Sequence, residues 1–315
     1  MSLKAEVRGM ATAGMLAFAM VLLLVSVPRG IPGVDLLQSL RFHIAALGVP
    51  LVAVLLVTGG RWRALVVVVL MLASVGQGLV PILDGYQRRD AVTGDVLARL
   101  KVISFNVLTG NLKGRAAADY IIGQAPDIAV VMETPGIEAY LDDIAKVLPY
   151  RVGCERRRTC DLTIFSRVPI EEPQMLLMPP FQRERLAVAH VSFEGVPLTV
   201  VGAHLSKPYF DEAAWMELQS VHAVLNGIEG RVLVSGDFNA AAWSDEIAQF
   251  SQGADLVPPP WHPGTWPVRL GALGVPIDNM FTRGSILIDA IDSPADSFGS
   301  NHRALRAEVS LRAGS

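Results

Sequence analysis

The sequence predicts an α/β domain from about residue 100 onward, carried on a region of three apolar helices that precedes it. Three observations lead there: uncharged apolar stretches before residue 90, a shift in charge near residue 100, and short Val/Ile/Leu-rich runs alternating with amphipathic segments beyond it. The 315 residues are 51% hydrophobic and 18% charged, with a mean hydropathy of +0.40, too apolar for an ordinary soluble chain. Residues 1–100 hold 9 Lys/Arg against 5 Asp/Glu, a balance of +4, and residues 101–315 hold 18 against 25, a balance of −7. The domain boundary is placed there, with the second domain running over residues 100–312. Its acidity speaks mildly against a nucleic-acid groove, where clustered Lys/Arg normally meet phosphates.

The first apolar stretch, Gly9–Pro28, lies between Arg8 and Arg29. At about 1.5 Å per residue it just crosses ~30 Å of hydrocarbon. Phe42–Gly60 is a second such stretch, with His43 at its flank. Ala64–Leu83 is the third, with Ser74 and Gln77 as its polar side chains. Three in succession, each flanked by Arg, point to an integral protein of a bacterial inner or plasma membrane rather than to core helices. The first run is too long for a signal peptide and no small-x-small site follows it, so it reads as a retained anchor. Basic residues are densest at Lys4/Arg8 and Arg61/Arg63, against Arg29/Arg41 and Arg88/Arg89 on the other side. This puts the N-terminus inside and, after three spans, the second domain outside the cytoplasm.

Cys154 and Cys160 are the chain's two cysteines, separated by Glu-Arg-Arg-Arg-Thr. Such a pair can close a small ring if the segment is a loop or hairpin, and the bridge persists only in an oxidising compartment. On the chain-entropy estimate it contributes about 2 kcal/mol. Two unrelated thiols are the alternative; a zinc site has no second Cys/His pair to support it.

Beyond Arg99, the runs Lys101–Val107, Asp127–Val131, Leu162–Phe165, Leu186–Val191, Leu198–Gly202 and Arg231–Val234 have strand character. Arg115–Gln124, Ile137–Leu148, Glu212–Ile228 and Ser244–Phe250 have helical periodicity. The mixture implies a sheet core covered by helices. Val257–Gly274, rich in Pro and Gly, reads as a long loop inside the domain. Polar residues sit where the buried runs end: Asn106, Glu133, His204, Asp237 with Asn239, Asp278, and Asn301-His302. One such residue is an ordinary strand cap, whereas six segments ending this way make a site. Asp237 and Asn239, two apart, share a face if the chain there is extended.

The strings Ser104-Phe-Asn-Val, Met132-Glu, Ala203-His-Leu, Gly236-Asp-Phe-Asn, Pro276-Ile-Asp-Asn and Gly299-Ser-Asn-His resemble, in order and spacing, the endonuclease/exonuclease/phosphatase superfamily. The resemblance runs from about Leu100 to Leu311, and Asp237-Phe-Asn-Ala-Ala-Ala-Trp-Ser with Gly264-Thr-Trp-Pro is most similar to its bacterial membrane-anchored branch. It implies a two-sheet α/β sandwich of the deoxyribonuclease kind and hydrolysis of phosphate esters or anhydrides. It further implies that Glu133, with Asn106 and Asn301, ligates Mg²⁺, or Mn²⁺ in its place, since hard cations take oxygen ligands. His302 is implied as the general base oriented by Asp278, Asp237 and Asn239 as the groups positioning the nucleophile, and His204 as a donor to phosphate oxygen. A turn role for Asn106 and a core role for His204 remain the plainer readings of those residues.

Two departures stand out. The family usually has Asp where this chain has Asn301, which removes a charge from the metal site. Asn279 stands where the branch often has His. Trp261, His262 and Trp266 either line a substrate mouth or brace the Pro-rich loop. Arg156–Arg158 either meet phosphate headgroups or form a solvated turn, and Arg183 and Arg185 precede a strand that can bring them to the site. The expected activity is that of a membrane-anchored, Mg²⁺-dependent phosphoesterase acting outside the cytoplasm on a lipid-linked phosphate or pyrophosphate, with the bilayer as its partner. An extracytoplasmic nuclease and a catalytically weakened receptor or scaffold are the alternatives.

Overall fold

The computed structural model describes residues 3–27, 33–155, 159–208 and 212–314. Pro28 and Arg29 of the first predicted stretch, and Arg156–Arg158 of the cysteine loop, lie outside the described residues.

The N-terminal region is α1 (Leu3–Ser26), a short α2 (Val34–Ser39), α3 (Arg41–Val57) and α4 (Arg61–Asp90). Two helices, Ala5–Ser26 and Arg61–Asp90, are long and apolar enough to cross a membrane, against the three predicted. Their most apolar windows are only 11% and 17% buried, so no protein covers most of their apolar surface. The second predicted span, Phe42–Gly60, falls on α3, which ends at Val57 and has 17 residues; at about 1.5 Å per residue it reaches ~25 Å. Gly59 and Gly60 shorten it, Gly59 adopting φ 84°, a left-handed conformation that ends helices.

The second domain begins with β1 (Val96–Asn106), α5 (Gly114–Gln124), β2 (Ile128–Met132), α6 (Leu141–Ala145), β3 (Tyr150–Val152) and β4 (Leu162–Ser166). It continues with β5 (Glu171–Met178), β6 (Arg183–Phe193), β7 (Val196–His204), α7 (Ala213–Asn226), β8 (Val232–Asp237) and α8 (Asp245–Gly253). The last strands are β9 (Asp278–Arg283), β10 (Ile286–Asp292) and β11 (Leu305–Arg312). One sheet has the order β10-β11-β1-β2-β4-β3 and the other β5-β6-β7-β8-β9, which is the two-sheet α/β sandwich. The predicted helix Ile137–Leu148 is instead a 3₁₀ turn, Thr134–Tyr140, followed by α6.

Strand alternation builds three layers of core. Val102 of β1, Ile128 and Val130 of β2, Ala187 of β6 and Val200 of β7 fill the space between the sheets. Their neighbours Ile103, Phe105, Ala129 and Val131 point outward, under α5 and α6. On the other sheet Val201, Val232 and Val234 pack beneath α7 and α8. Each sheet contains one parallel pair, β1 with β2 and β7 with β8. The C-terminal ends of both pairs carry the polar residues singled out in the sequence.

Candidate active site

Asn106 and Asp237 end β1 and β8, Glu133 follows β2, His204 ends β7 and Asp278 opens β9. Strand geometry thus delivers five polar side chains from two facing sheets to one place. The approach of β7 and β8 is close: a Cβ on Gly236 would lie 1.7 Å from the Ala203 carbonyl oxygen, so the residue before Asp237 must be glycine.

Asn106 is the hub. Its Nδ2 donates to Glu133 Oε1 at 3.1 Å and to Asp237 Oδ2 at 3.0 Å, while its Oδ1 accepts from the Leu108 N–H at 3.1 Å. Glu133 Oε2 accepts from the Thr109 N–H at 2.7 Å. Ser300 Oγ donates to the Asn106 carbonyl at 2.6 Å and accepts from the His302 N–H at 3.0 Å, which fixes the last turn against β1. His302 Nδ1 lies 2.9 Å from Asp278 Oδ2, and its Nε2 lies 3.6 Å from Asp237 Oδ2. The first is a hydrogen bond; the second is too long for one and leaves Nε2 facing a carboxylate across a narrow gap. His302 and Asp278 are therefore hydrogen-bonded, and Glu133 and His302 lie at one site, linked through Asn106 and Asp237.

Asn239 departs from the extended chain expected of it. With φ 51° it turns back, its N–H donating to Asp237 Oδ1 at 2.8 Å and its Nδ2 to the Leu205 carbonyl at 2.8 Å. Glu133, at φ 55°, is likewise left-handed, a costly conformation for either residue that the surrounding bonds enforce. Asn279 points away from His302; it donates to the carbonyls of Ala240 and Ile277 and holds the loop after Asp237. Asn301 is exposed beside buried His302.

His204 bonds through Nδ1 to Asp161, a residue the sequence reading missed, and its Nε2 lies 3.9 Å from Asp237. Behind Asp161, Arg185 Nε donates to its Oδ2 at 3.0 Å, Arg185 Nη1 donates to Ser206 Oγ at 3.0 Å, and Glu217 lies 3.6 Å away. Asp161 directly follows Cys160, whose sulfur is bonded to Cys154. The disulfide ring thus ends one residue from the group that orients His204. No apolar run ends at Asp161, and Glu217 sits in an ordinary helical pattern, so only a search for partners of Arg185 could have found them.

The electrostatics favour retention of protons. Burial works against the charged form of His302, yet Asp278, Asp237 and Glu133 together hold its pKa up at about 9. Burial likewise opposes charge on His204, but Asp161 and Asp237 raise it. Burial, then the facing Asp278, push Asp237 up. Glu133 is pushed up by burial and pulled further down by the Thr109 N–H, Asn106 and His204, ending below the ordinary range.

Asp237, Asp278 and His302 present ligand atoms within 4.8 Å of one another, an arrangement able to hold a cation, and Asp278 Oδ1 is buried without a partner. Glu133 fits such an ion as well: it stays anionic and has no ion pair with a Lys or Arg side chain among the described residues. The Asn106 amide is fixed by its neighbours and can present oxygen once a cation replaces the proton network. Asn301 has no hydrogen bond to Glu133 or Asn106 among the described residues.

A cavity of about 450 Å³ opens on this centre, lined by Glu133, His204 and Asn239 together with Phe181, Arg183 and Lys207. Arg185 also lines it, so both arginines at the start of β6 border the site. Trp261, His262 and Trp266 do not line it. Trp261 donates to the Ile291 carbonyl at 2.8 Å, His262 packs edge-on to Trp243, and Trp266 pairs with Val275, so these three brace the Pro-rich loop.

The helical region touches the loop that follows Asp237. Gln38 and Asp245 exchange two hydrogen bonds, each of 2.9 Å. Ser39 Oγ accepts from the Ala241 N–H at 3.0 Å and its carbonyl accepts from Trp243 Nε1 at 3.1 Å. Arg41, counted in the sequence among the charges of the first loop, is buried against Asp245 at 3.5 Å.

The fold has many solved relatives. Sphingomyelinase C from Streptomyces griseocarneus shares 18% identity over 67% of this chain and 99% of its own, with a TM-score of 0.52. A variant of beta toxin from Staphylococcus aureus with bound magnesium ions shares 16% over 67% and 99%, with a TM-score of 0.53. TDP2 from D. rerio, complexed with a single-strand DNA product, shares 18% over 67% and 99%, with a TM-score of 0.52. No curated protein matches the chain. The model of the Endonuclease/Exonuclease/phosphatase family matches residues 103–302, which span Asn106, Glu133, His204, Asp237, Asp278 and His302, and the chain belongs to that family.

Proposed function

We propose that the protein is a metal-dependent phosphoesterase, held at a membrane by its apolar helices, that hydrolyses a phosphate ester or anhydride of a lipid-linked substrate outside the cytoplasm. The observation that carries the catalytic part is the His302–Asp278 hydrogen bond of 2.9 Å, with His302 Nε2 turned toward Asp237. With Nδ1–H donated to Asp278, Nε2 is the base once it has lost the proton that the surrounding carboxylates hold on the ring: it then takes the proton of a water whose oxygen forms a bond to phosphorus as the bond to the leaving oxygen breaks. Asp237 and the turn at Asn239 hold that water in line. His204, charged against Asp161, donates to a non-bridging oxygen. Glu133 and Asn106 would hold Mg²⁺, with Asn301 in its outer surroundings; the ion supplies neutralisation of the phosphate and leaving oxygens. Support for magnesium comes from the beta toxin variant, whose structure holds magnesium ions.

The membrane part is supported by the uncovered apolar surface of α1 and α4. Placement outside the cytoplasm needs α3 to span as well; the Cys154–Cys160 bond agrees with it, because such bonds persist in oxidising compartments. A domain tethered this close to headgroups meets them at high effective concentration, and sphingomyelinase C gives a precedent in name for a lipid substrate. The nuclease reading is favoured by the DNA product in TDP2 and disfavoured by the −7 balance of residues 101–315. A non-catalytic scaffold has no need of the bonded set Glu133, Asp237, Asn239, Asp278 and His302. Release of phosphate or headgroup by the full chain, with and without Mg²⁺, over phospholipid, prenyl diphosphate and DNA separates these readings. Metal-dependent turnover of DNA alone, or of nothing, would overturn this one.

A further inference from the structure

The cavity beside the candidate catalytic centre is larger than a single phosphate requires, and its lining includes Arg183, Arg185 and Lys207. Of its positive side chains, Arg185 is already engaged with Asp161, Ser206 and Glu217. Arg183 and Lys207 are exposed and have no hydrogen bond or ion pair among the described residues. They line the same cavity as Glu133, and Phe181, 52% exposed, lines it with them. Two cations without side-chain partners in the lining of one cavity are placed to meet an anion from solution.

We infer that Arg183 and Lys207 form a second anion subsite, and that the substrate carries another anionic group next to the scissile phosphate, a diphosphate being the simplest case. This rests on the phosphoesterase reading for the identity of the first phosphate. The catalytic end takes the phosphate that is attacked, between His204, Asn239 and Glu133. The adjoining group then falls along the wall toward Arg183 and Lys207, with Phe181 covering the less polar portion that follows. A headgroup ending in a quaternary ammonium would bring a cation against the same two charges, so choline-type phosphodiesters are poor substrates on this geometry.

The test measures binding separately from turnover, using the full chain in nanodiscs at saturating Mg²⁺. Methylenediphosphonate and methylphosphonate serve as non-hydrolysable probes of two anionic groups and of one, titrated by calorimetry. The wild type is expected to bind the diphosphonate at least about tenfold more tightly, a difference of the size that one or two charge-assisted contacts supply. Arg183→Ala and Lys207→Ala should each remove roughly fivefold of that preference, with Arg183→Lys retaining most of it. Equal affinity for the two probes in the wild type, or an undiminished preference in both alanine variants, overturns the subsite. Hydrolysis of a small soluble diester, followed in the same preparation, reports on the phosphoesterase reading alone. Turnover without a diphosphonate preference sinks the subsite and spares that reading; preference without turnover does the reverse.

Discussion

Gln38 and Asp245 exchange two hydrogen bonds of 2.9 Å, joining the short helix after α1 to the end of the loop that begins at Asp237. With the two bonds from Ser39 to Ala241 and Trp243, and the edge-on contact of Phe42 with Trp243 at 4.8 Å, this makes the helical region a support for the loop that follows Asp237. Gln38→Leu keeps the volume and removes both bonds. It should lower kcat by about tenfold with KM changed less than twofold, as expected of small misplacements of catalytic groups, and Gln38→Asn should recover part of the loss. Steady-state kinetics with unaltered kcat in Gln38→Leu would show that the loop holds its own geometry.

Three carboxylates maintain the high pKa of His302, so its titration has a defined sign. The pKa of about 9 lies above the ordinary 6.5. The stability it contributes in the metal-free protein is therefore complete below about pH 6.5 and lost as pH rises through about 9. Asp278→Asn should lower the pKa, because burial remains and its largest opposing charge is gone. NMR titration of the imidazoles, in a chain with 6 histidines, reads this directly; an unchanged His302 value in the variant would mean Asp278 does not set it.

The disulfide ring ends beside Asp161, so its opening should reach the chemistry. The paired substitution of Cys154 and Cys160 by Ser is expected to cost about 2 kcal/mol of stability on the chain-entropy estimate. Activity should fall as Asp161 and His204 lose their fixed relation, and Asp161→Asn should reproduce the activity loss without the stability loss of ring opening. Full activity in the double serine variant would separate the ring from the site.

Asn301 lies one residue before His302 on the exposed side of the turn. Replacing it by Asp returns a carboxylate to a position where the family usually has one and should strengthen Mg²⁺ binding. A metal titration showing equal or weaker dependence would mean that residue 301 does not face the ion.

The six Val/Ile/Leu-rich runs were legible because each is buried on both sides, and polar residues at the ends of four of them, Asn106, Glu133, His204 and Asp237, pointed to the site. Lys101–Val107 became β1, with Asn106 at its tip. The strands that escaped notice have other reasons to be strands. β5 is an edge strand whose first four residues are exposed, and β11 carries Arg306, Glu308 and Arg312 between buried Leu305, Ala307 and Val309. Their pairing partners, far away in sequence, decide their structure. The same holds for function: Asp161 and Glu217 are recognisable only through Arg185 and His204, which the fold brings to them. Arg41 was counted only as a charge flanking a span because Asp245, its partner, is 204 residues away.

The central claim is that His302, oriented by Asp278 and opposite Asp237, removes the proton of the attacking water. The measurement that bears on it most directly is the Mg²⁺-dependent turnover of full-length His302→Ala beside wild type, on whichever phosphate substrate the panel identifies. A loss of about 10²–10⁴-fold in kcat with the fold and metal binding retained is expected of a positioned general base. Wild-type turnover in the variant would contradict the mechanism.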